Sequence, residues 1–386
     1  MTNAAVGAVK AAIAWLLYAV LLPFKRRKLW LISDRYGRAG DNGEAFFRFV
    51  RLSHPEIDAR FALSADAPGY GSLKRAGGVV PWRSMRRKVL TLLSDCLISS
   101  QFELSFVNPF HGYDWFLRKI LRNKPFVFLQ HGVTKDDISA WLAARPRKPS
   151  AIVAASPRER DAFLSPPYGF SAGEVWLAGF PRFDLLESSP RRTILFMPTW
   201  RSCARERRAA ADSAATPFAG LLGNGELLSL CRRHGYRIVA ALHPNSDSAG
   251  LDSLCNDVVS LPGRDDTYRK LFSEGCLLVT DYSSTAFDFA YLRKPVIYLQ
   301  PDAKTFFSGA HSYSKGYFDY GRDGFGPVET TIAGAVERIG ECLRRGCAME
   351  EAYRKRVDGF FAYSDRLNSE RVFERISALT RKNPFR

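Results

Sequence analysis

Short unbroken apolar runs recur along this chain, separated by stretches whose apolar positions fall three and four residues apart. The runs at 29–33, 60–63, 78–82, 96–99, 125–130, 151–154 and 175–177 predict strands, with PFVFLQ at 125–130 the clearest. Between them, the periodic GEAFFRFVRL that follows Asp41-Asn42-Gly43 and the segment 89–93 predict helices. Gly179-Phe180-Pro181-Arg182 and the polar stretch 187–192 interrupt the pattern. It then resumes, with runs at 193–197, 236–242, 258–261, 276–281 and 295–299, and from Thr331 onward the chain is charged and helically periodic. Strands alternating with helices at this spacing predict a parallel sheet covered on both faces. The expectation is an α/β chain of two Rossmann-like doubly wound domains facing a cleft. They are drawn as residues 28–187 and 188–386, the second carrying the C-terminal helices. In such sheets ligands bind beyond the carboxyl ends of the strands, so polar clusters just after strands are the place to look for chemistry.

Ahead of the first strand, residues 1–27 form a different element. AAIAWLLYAVLLPF at 11–24 runs straight into Lys25-Arg26-Arg27-Lys28. As a helix the run spans roughly 20 Å, short of the ~30 Å hydrocarbon core of a bilayer. It lacks a basic leading region and a small-residue cleavage site, and its basic cluster lies on the wrong side for a secretory signal. An interfacial helix, with Trp15 and Tyr18 near the headgroups and the basic cluster behind them, would hold the protein peripherally on an anionic inner leaflet. A helix packed on the protein's own core, or a full span, are the alternatives.

Polar clusters do follow strands. They are His131-Gly132-Val133-Thr134-Lys135, Thr199-Trp200-Arg201, His243-Pro244-Asn245 and Thr280-Asp281-Tyr282-Ser283-Ser284. His131 is the best general base on offer, since an imidazole is neutral at cytoplasmic pH, although a histidine that simply caps a strand end is also compatible. His243 is held extended by the following proline and could donate to a phosphate or leaving group, or be structural. Arg201 and Lys135 are natural phosphate partners, the first as a planar fork and the second as a point charge. Ser283 and Ser284 stand where a helix begins and can cap it or donate to a phosphate, with Asp288 one turn further on. Residues 202–216, rich in Arg and Ala, lack any periodicity that would bury them.

The formal charge of +17, from 56 Lys and Arg against 39 Asp and Glu, calls for an anionic partner. No compact nucleic-acid motif accompanies it, so nucleic acid is not the expected partner. The seven cysteines form no CxxC pair and no carboxylate cluster is present, so neither a zinc site nor an essential metal or other cofactor is predicted.

FMPTWR, LHPN and TDYSSTAFDFAYLRKPVIYLQPD, in this order, resemble the CDP-glycerol:poly(glycerophosphate) glycerophosphotransferase family of teichoic acid primases and polymerases. DNG at 41–43, QHG at 130–132, GFPRFD at 179–184 and YFDYGRDGFGPV at 317–328 are similar to the same family. The resemblance implies a GT-B-like fold. It also implies transfer of an alditol phosphate from a CDP-linked donor, such as CDP-glycerol, to a polyprenyl-linked or polymer acceptor, with release of CMP at the cytoplasmic membrane face. It assigns His131 as base. Thr134, Lys135, Arg201, His243, Asp281, Ser283, Ser284 and Asp288 fall around the donor, and His243 also among the catalytic residues. Better-known members carry HGTPLK where this chain has HGVTKDD, which brings Lys135 one position nearer the histidine. A GT-B glycosyltransferase using a nucleotide sugar, and a non-enzymatic membrane-surface scaffold for anionic polymer, are the competing readings.

Overall fold

The apolar runs become strands because each fills the middle of a sheet that is covered on both sides. The computed structural model describes residues 3–110, 112–113, 115–143, 148–199, 216–241, 254–263, 266–304, 306 and 314–381. Among these, β1 (Leu29–Ser33), β2 (Asp58–Leu63), β3 (Val79–Pro81), β4 (Cys96–Ser99), β5 (Phe126–Phe128), β6 (Ala151–Ala154) and β7 (Val175–Leu177) make one sheet in the order β3-β2-β1-β4-β5-β6-β7. A second sheet has the order β10-β9-β8-β11-β12-β13. Its strands are β8 (Thr193–Phe196), β9 (Arg237–Ala240), β10 (Val259–Ser260), β11 (Leu277–Thr280), β12 (Val296–Leu299) and β13 (Val328–Glu329). Every pairing in both is parallel. Strands such as β1, β4, β6, β11 and β12 are buried at every position, which is why they read as continuous apolar runs rather than alternating ones. Two doubly wound α/β units are therefore present, as the pattern predicts.

The sequence reading places a single cut at 187/188. The compact units divide differently. The first comprises 1–131, 141–185 and 362–386, and the second 132–140 and 186–361. The short segment after His131 thus belongs to the second unit. The C-terminal helix Asn368–Arg381, expected with the second unit, belongs to the first. It is fixed there by Asp184, whose carboxylate accepts the Asn368 and Ser369 N–H groups at 3.0 and 2.7 Å. Phe373 on this helix lies against Trp30 of β1 and stacks on His54 at 3.4 Å between ring centroids.

The N-terminal apolar run is helix α1 (Asn3–Leu21), continued by a 3₁₀ turn over Leu22–Phe24. It is part of the first unit rather than separate from it. Ala11 and Ala14 are fully buried against the core beside the helix Met85–Leu93, and Tyr18 packs on the same cluster. The rest of the helix faces outward: Leu16 is 56 % exposed, Val20 62 % and Phe24 73 %. By length and composition the stretch Ala5–Phe24 is apolar enough to cross a membrane, and only 11 % of its most apolar part is buried.

Candidate functional site

In the first unit, β5 ends in a turn built to present His131. Gln130 adopts a positive φ of 62°, a backbone state that costs a non-glycine residue about 1–2 kcal/mol. Its side chain holds it there. The amide nitrogen donates to the Val153 carbonyl at 2.5 Å and to Glu159 at 3.1 Å. Glu159 is fully buried, and its other oxygen accepts the Ala155 N–H at 2.7 Å. His131 then emerges at the carboxyl edge of the sheet with its side chain open to solvent. The surrounding protein still withdraws enough water to hold its pKa below the ordinary 6.5. Asp41 opposes that shift, Arg182 and Arg35 add to it, and the Ser100 backbone faces the ring as an acceptor. The imidazole is therefore held neutral, with a basic nitrogen available.

Three motifs that are distant in sequence meet behind this histidine. The helix α2 (Asn42–Ser53) starts at Asp41-Asn42-Gly43. Asn42, fully buried, donates from Nδ2 to the Leu129 and Gln130 carbonyls at 3.3 and 2.6 Å and accepts the Arg182 N–H at 3.1 Å. The Arg182 guanidinium pairs with Asp41 at 2.6 Å. DNG, QHG and GFPRFD are thus one cluster. Beneath it lies Asp34, at the end of β1. It accepts from the N–H groups of Asp41, Gly43 and Glu44 at 3.0, 2.7 and 3.1 Å and from the Ser100 hydroxyl at 2.7 Å. Burial, with Asp41 nearby, pushes its carboxyl up to about 7. Gly43 is required at this contact, because a Cβ there would stand 2.3 Å from the Ser33 carbonyl oxygen. Asp34 and Ser100 follow β1 and β4, the neighbouring strands at which the strand order of the first sheet reverses, and that is where doubly wound sheets bind ligands. Sequence reasoning missed Asp34 altogether. Asn42 and Arg182 it recorded only within a turn ahead of a helix, a break in the pattern and the family motifs, with no role of their own.

In the second unit the reversal lies between β8 and β11. Asp281 binds their ends together. Its carboxylate, fully buried, accepts the Thr199 N–H and hydroxyl at 2.7 and 2.6 Å and the Tyr282 N–H at 2.6 Å, and Gln300 donates to its carbonyl at 3.0 Å. Asp281 thereby positions the turn from within. Ser283 and Ser284 follow on that turn, half-buried. The Ser283 hydroxyl oxygen accepts the Thr285 N–H and hydroxyl at 3.3 and 2.9 Å, so it organises the start of the short helix Thr285–Tyr291. Ser284 precedes the helix without a side-chain cap. Asp288 is buried within the same helix.

The segment 132–140 packs onto this unit. Gly316 lies so close to it that a Cβ would stand 2.2 Å from the Lys135 carbonyl oxygen, and Asp137 bridges to Ser314. Lys135, predicted as a phosphate partner, is only 4 % exposed. Its ammonium pairs with Asp136 and lies 5.5 Å from the centre of the Tyr320 ring. Tyr320 also meets Tyr282 edge-on at 5.8 Å, which joins this segment to the Asp281 turn. Thr134 is half-buried. Arg201 and His243, with Trp200 and nearly all of the basic segment 202–216, lie outside the described residues. The second unit is thus described for the Asp281-Ser283-Ser284 turn and for Lys135. Among the described residues no group of three or more His, Cys, Asp and Glu side chains could hold a metal ion.

The family model for CDP-glycerol:poly(glycerophosphate) glycerophosphotransferase matches residues 15–378. The chain belongs to this family. Two relatives come from Bacillus subtilis (strain 168). The minor teichoic acid biosynthesis protein GgaB is 32% identical over 383 residues, covering 96% of this chain and 42% of that protein. The teichoic acid poly(glycerol phosphate) polymerase is 26% identical over 402 residues, covering 93% of this chain and 50% of that one. The chain therefore spans about half the length, or less, of these curated relatives. A solved structure of the wall teichoic acid polymerase TagF superposes with a TM-score of 0.66 over 99% of both chains, at 13% identity. That likeness speaks to the fold of this chain alone.

Proposed function

We propose that this chain transfers an alditol phosphate, glycerol phosphate in the first instance, from a CDP-linked donor to a hydroxyl on a polyprenyl-linked or polymer acceptor. CMP is released, and the product is a teichoic acid or related cell-surface polymer. The observation that carries the reading is the His131 cluster. A neutral, solvent-open imidazole stands at a carboxyl strand edge whose backbone turn is held by Asn42, itself bonded to the Arg182 N–H, in a chain of this family. The acceptor oxygen attacks the phosphorus that bears the alditol, the bond from that phosphorus to the CMP oxygen breaks, and His131 takes the acceptor's proton. Arg201, His243 and the Ser283-Ser284 turn stabilise charge on the departing CMP, while Asp281 and Lys135 hold that turn in shape from behind. The chain does this as a peripheral protein at the cytoplasmic face of the membrane.

The test is nucleotide release. Purified chain is incubated with a lipid-linked acceptor and, separately, CDP-glycerol, CDP-ribitol, and UDP- and GDP-sugars. Acceptor-dependent CMP from a CDP-alditol is the expected result. UDP or GDP from a sugar donor would assign a glycosyltransferase instead. The pH profile provides a second check. Because His131 is held below 6.5, it stays in its basic form until the pH falls through that depressed value. The acidic limb of kcat/KM is therefore expected to lie below pH 6.5, and a limb above it would contradict His131 as the base. For the membrane, Leu16→Glu with Val20→Glu is expected to shift the protein from the membrane fraction to the soluble fraction. Both side chains are outward-facing, so the core contacts at Ala11 and Ala14 remain. Unchanged fractionation would remove α1 as the anchor.

A further inference from the structure

We propose that a cationic groove at the foot of α1 binds the phosphodiester headgroup of an anionic membrane lipid. This deepens the membrane part of the proposed function and rests on it. The groove, about 690 Å³, lies in the first unit where the chain leaving α1, the turn between α2 and β2, and the C-terminal helix come together. Arg26, Arg27 and Lys28 enter it from the first of these and Arg381 from the last turn of the C-terminal helix. Four cations thus share a lining with one carboxylate, Glu56, which already faces His54 Nδ1 at 3.2 Å.

Two of the cations fix the groove. Arg27 donates to the Pro55 carbonyl at 3.2 Å and Lys28 to the Thr380 hydroxyl at 3.4 Å, tying both neighbouring elements to the linker. Arg26 and Arg381 make no ion pair or hydrogen bond among the described residues. Two guanidiniums are thus left to a ligand, and the guanidinium fork matches a phosphate bidentately. Ile57 and Phe373 supply an apolar side to the same groove.

Position decides the occupant. Phe24, the most exposed apolar side chain of the α1 segment, precedes Arg26 by two residues. Along the protein surface an apolar face gives way directly to a cationic hollow. Lipid presents the same order, acyl chain and then phosphate, so α1 and the groove can engage one leaflet together. The volume suits one headgroup, since small-molecule sites run from about 300 to 1,000 Å³. A soluble phosphate would need the guanidiniums but not the adjoining apolar face.

The experiment is co-sedimentation of the full chain with phosphatidylcholine vesicles, with and without phosphatidylglycerol. A cation near an anionic surface contributes about a five-fold gain in partitioning. Arg26→Gln is expected to weaken binding to the phosphatidylglycerol vesicles about five-fold. Arg381→Glu, which removes one charge and adds the opposite one, should weaken it about twenty- to thirty-fold. Binding to phosphatidylcholine alone should not change. Lys74→Glu, at an exposed cation outside the groove, is the control and should leave binding near wild type. Equal losses in Lys74→Glu and Arg381→Glu would mean diffuse attraction and overturn the groove while the membrane reading stands. Release from the vesicles by soluble glycerol phosphate would overturn the lipid as occupant. Failure of the wild type to bind either vesicle would overturn the membrane reading and the groove with it. Unchanged circular dichroism establishes folding for each variant, and Arg381→Gln, expected to lose about five-fold, replaces Arg381→Glu if that variant misfolds.

Discussion

His131→Ala is expected to lower turnover by roughly 10²–10⁴-fold, the usual contribution of a positioned general base, while leaving the affinity for a CDP-linked donor close to wild type. The separation follows from where the groups lie. His131 belongs to the first unit, whereas the residues assigned to the donor belong to the second. The substitution should also leave the fold alone. The ring is open to solvent, and the bonds that shape its turn run through Gln130, Asn42 and Glu159 rather than through the imidazole. Asn42→Ala makes the contrast. It removes two bonds to the strand end and one to Arg182, so it should disturb both activity and stability. Turnover and donor binding measured on the two variants settle the matter. Wild-type turnover in His131→Ala would remove the base from the mechanism.

Asp281→Ala is expected to destabilise the second unit by about 3–6 kcal/mol, about 1.5–3 kcal/mol for each of the two backbone N–H groups left without their carboxylate acceptor. Three donors lose their acceptor at once: the Thr199 N–H, the Thr199 hydroxyl and the Tyr282 N–H. The two N–H groups are fixed by the backbone, so they cannot turn elsewhere, and the truncated side chain admits little water at a fully buried position. Asp281→Asn keeps one acceptor oxygen and should cost less. Thermal unfolding and limited proteolysis of the second unit would report the difference. A melting temperature like wild type in Asp281→Ala would mean that the turn does not depend on this carboxylate, and Asp281 would again be open to a direct part in donor binding.

The strands were legible because a parallel sheet covered on both faces needs continuous apolar runs, and runs such as 96–99 and 151–154 coincide with β4 and β6. β13 was not legible, since Val328–Glu329 is two half-buried residues with no run to announce it. Periodicity also reports that a face is buried without saying against which core. The helix Asn368–Arg381 shows an apolar stripe in the sequence, but only the Asp184 cap and the Phe373 stack reveal which unit it completes. The candidate site divides in the same way. His131, Ser283 and Ser284 were found because they follow strands and carry obvious chemistry. Asp34 was not, because a lone carboxylate after a strand acquires its role only when Ser100, Gly43 and Glu44 are brought to it. Lys135 illustrates the converse. Its charge suggested an exposed contact, yet Asp136 and Tyr320 enclose it.

That the C-terminal helix completes the first unit has a consequence for the order of events at the ribosome. Strands β1 to β7 emerge early, but Trp30 and His54 wait for Phe373, and Asp184 waits for Asn368 and Ser369. All of residues 186–361 must be translated in between. At ~5–20 residues per second this is a delay on the order of ten seconds or more. Throughout that interval the nascent first unit exposes the flank of α2 and β1 that the last helix will cover, and the apolar face of α1 is exposed as well. A chaperone, or early contact of α1 with the bilayer, would shield the nascent chain during that wait.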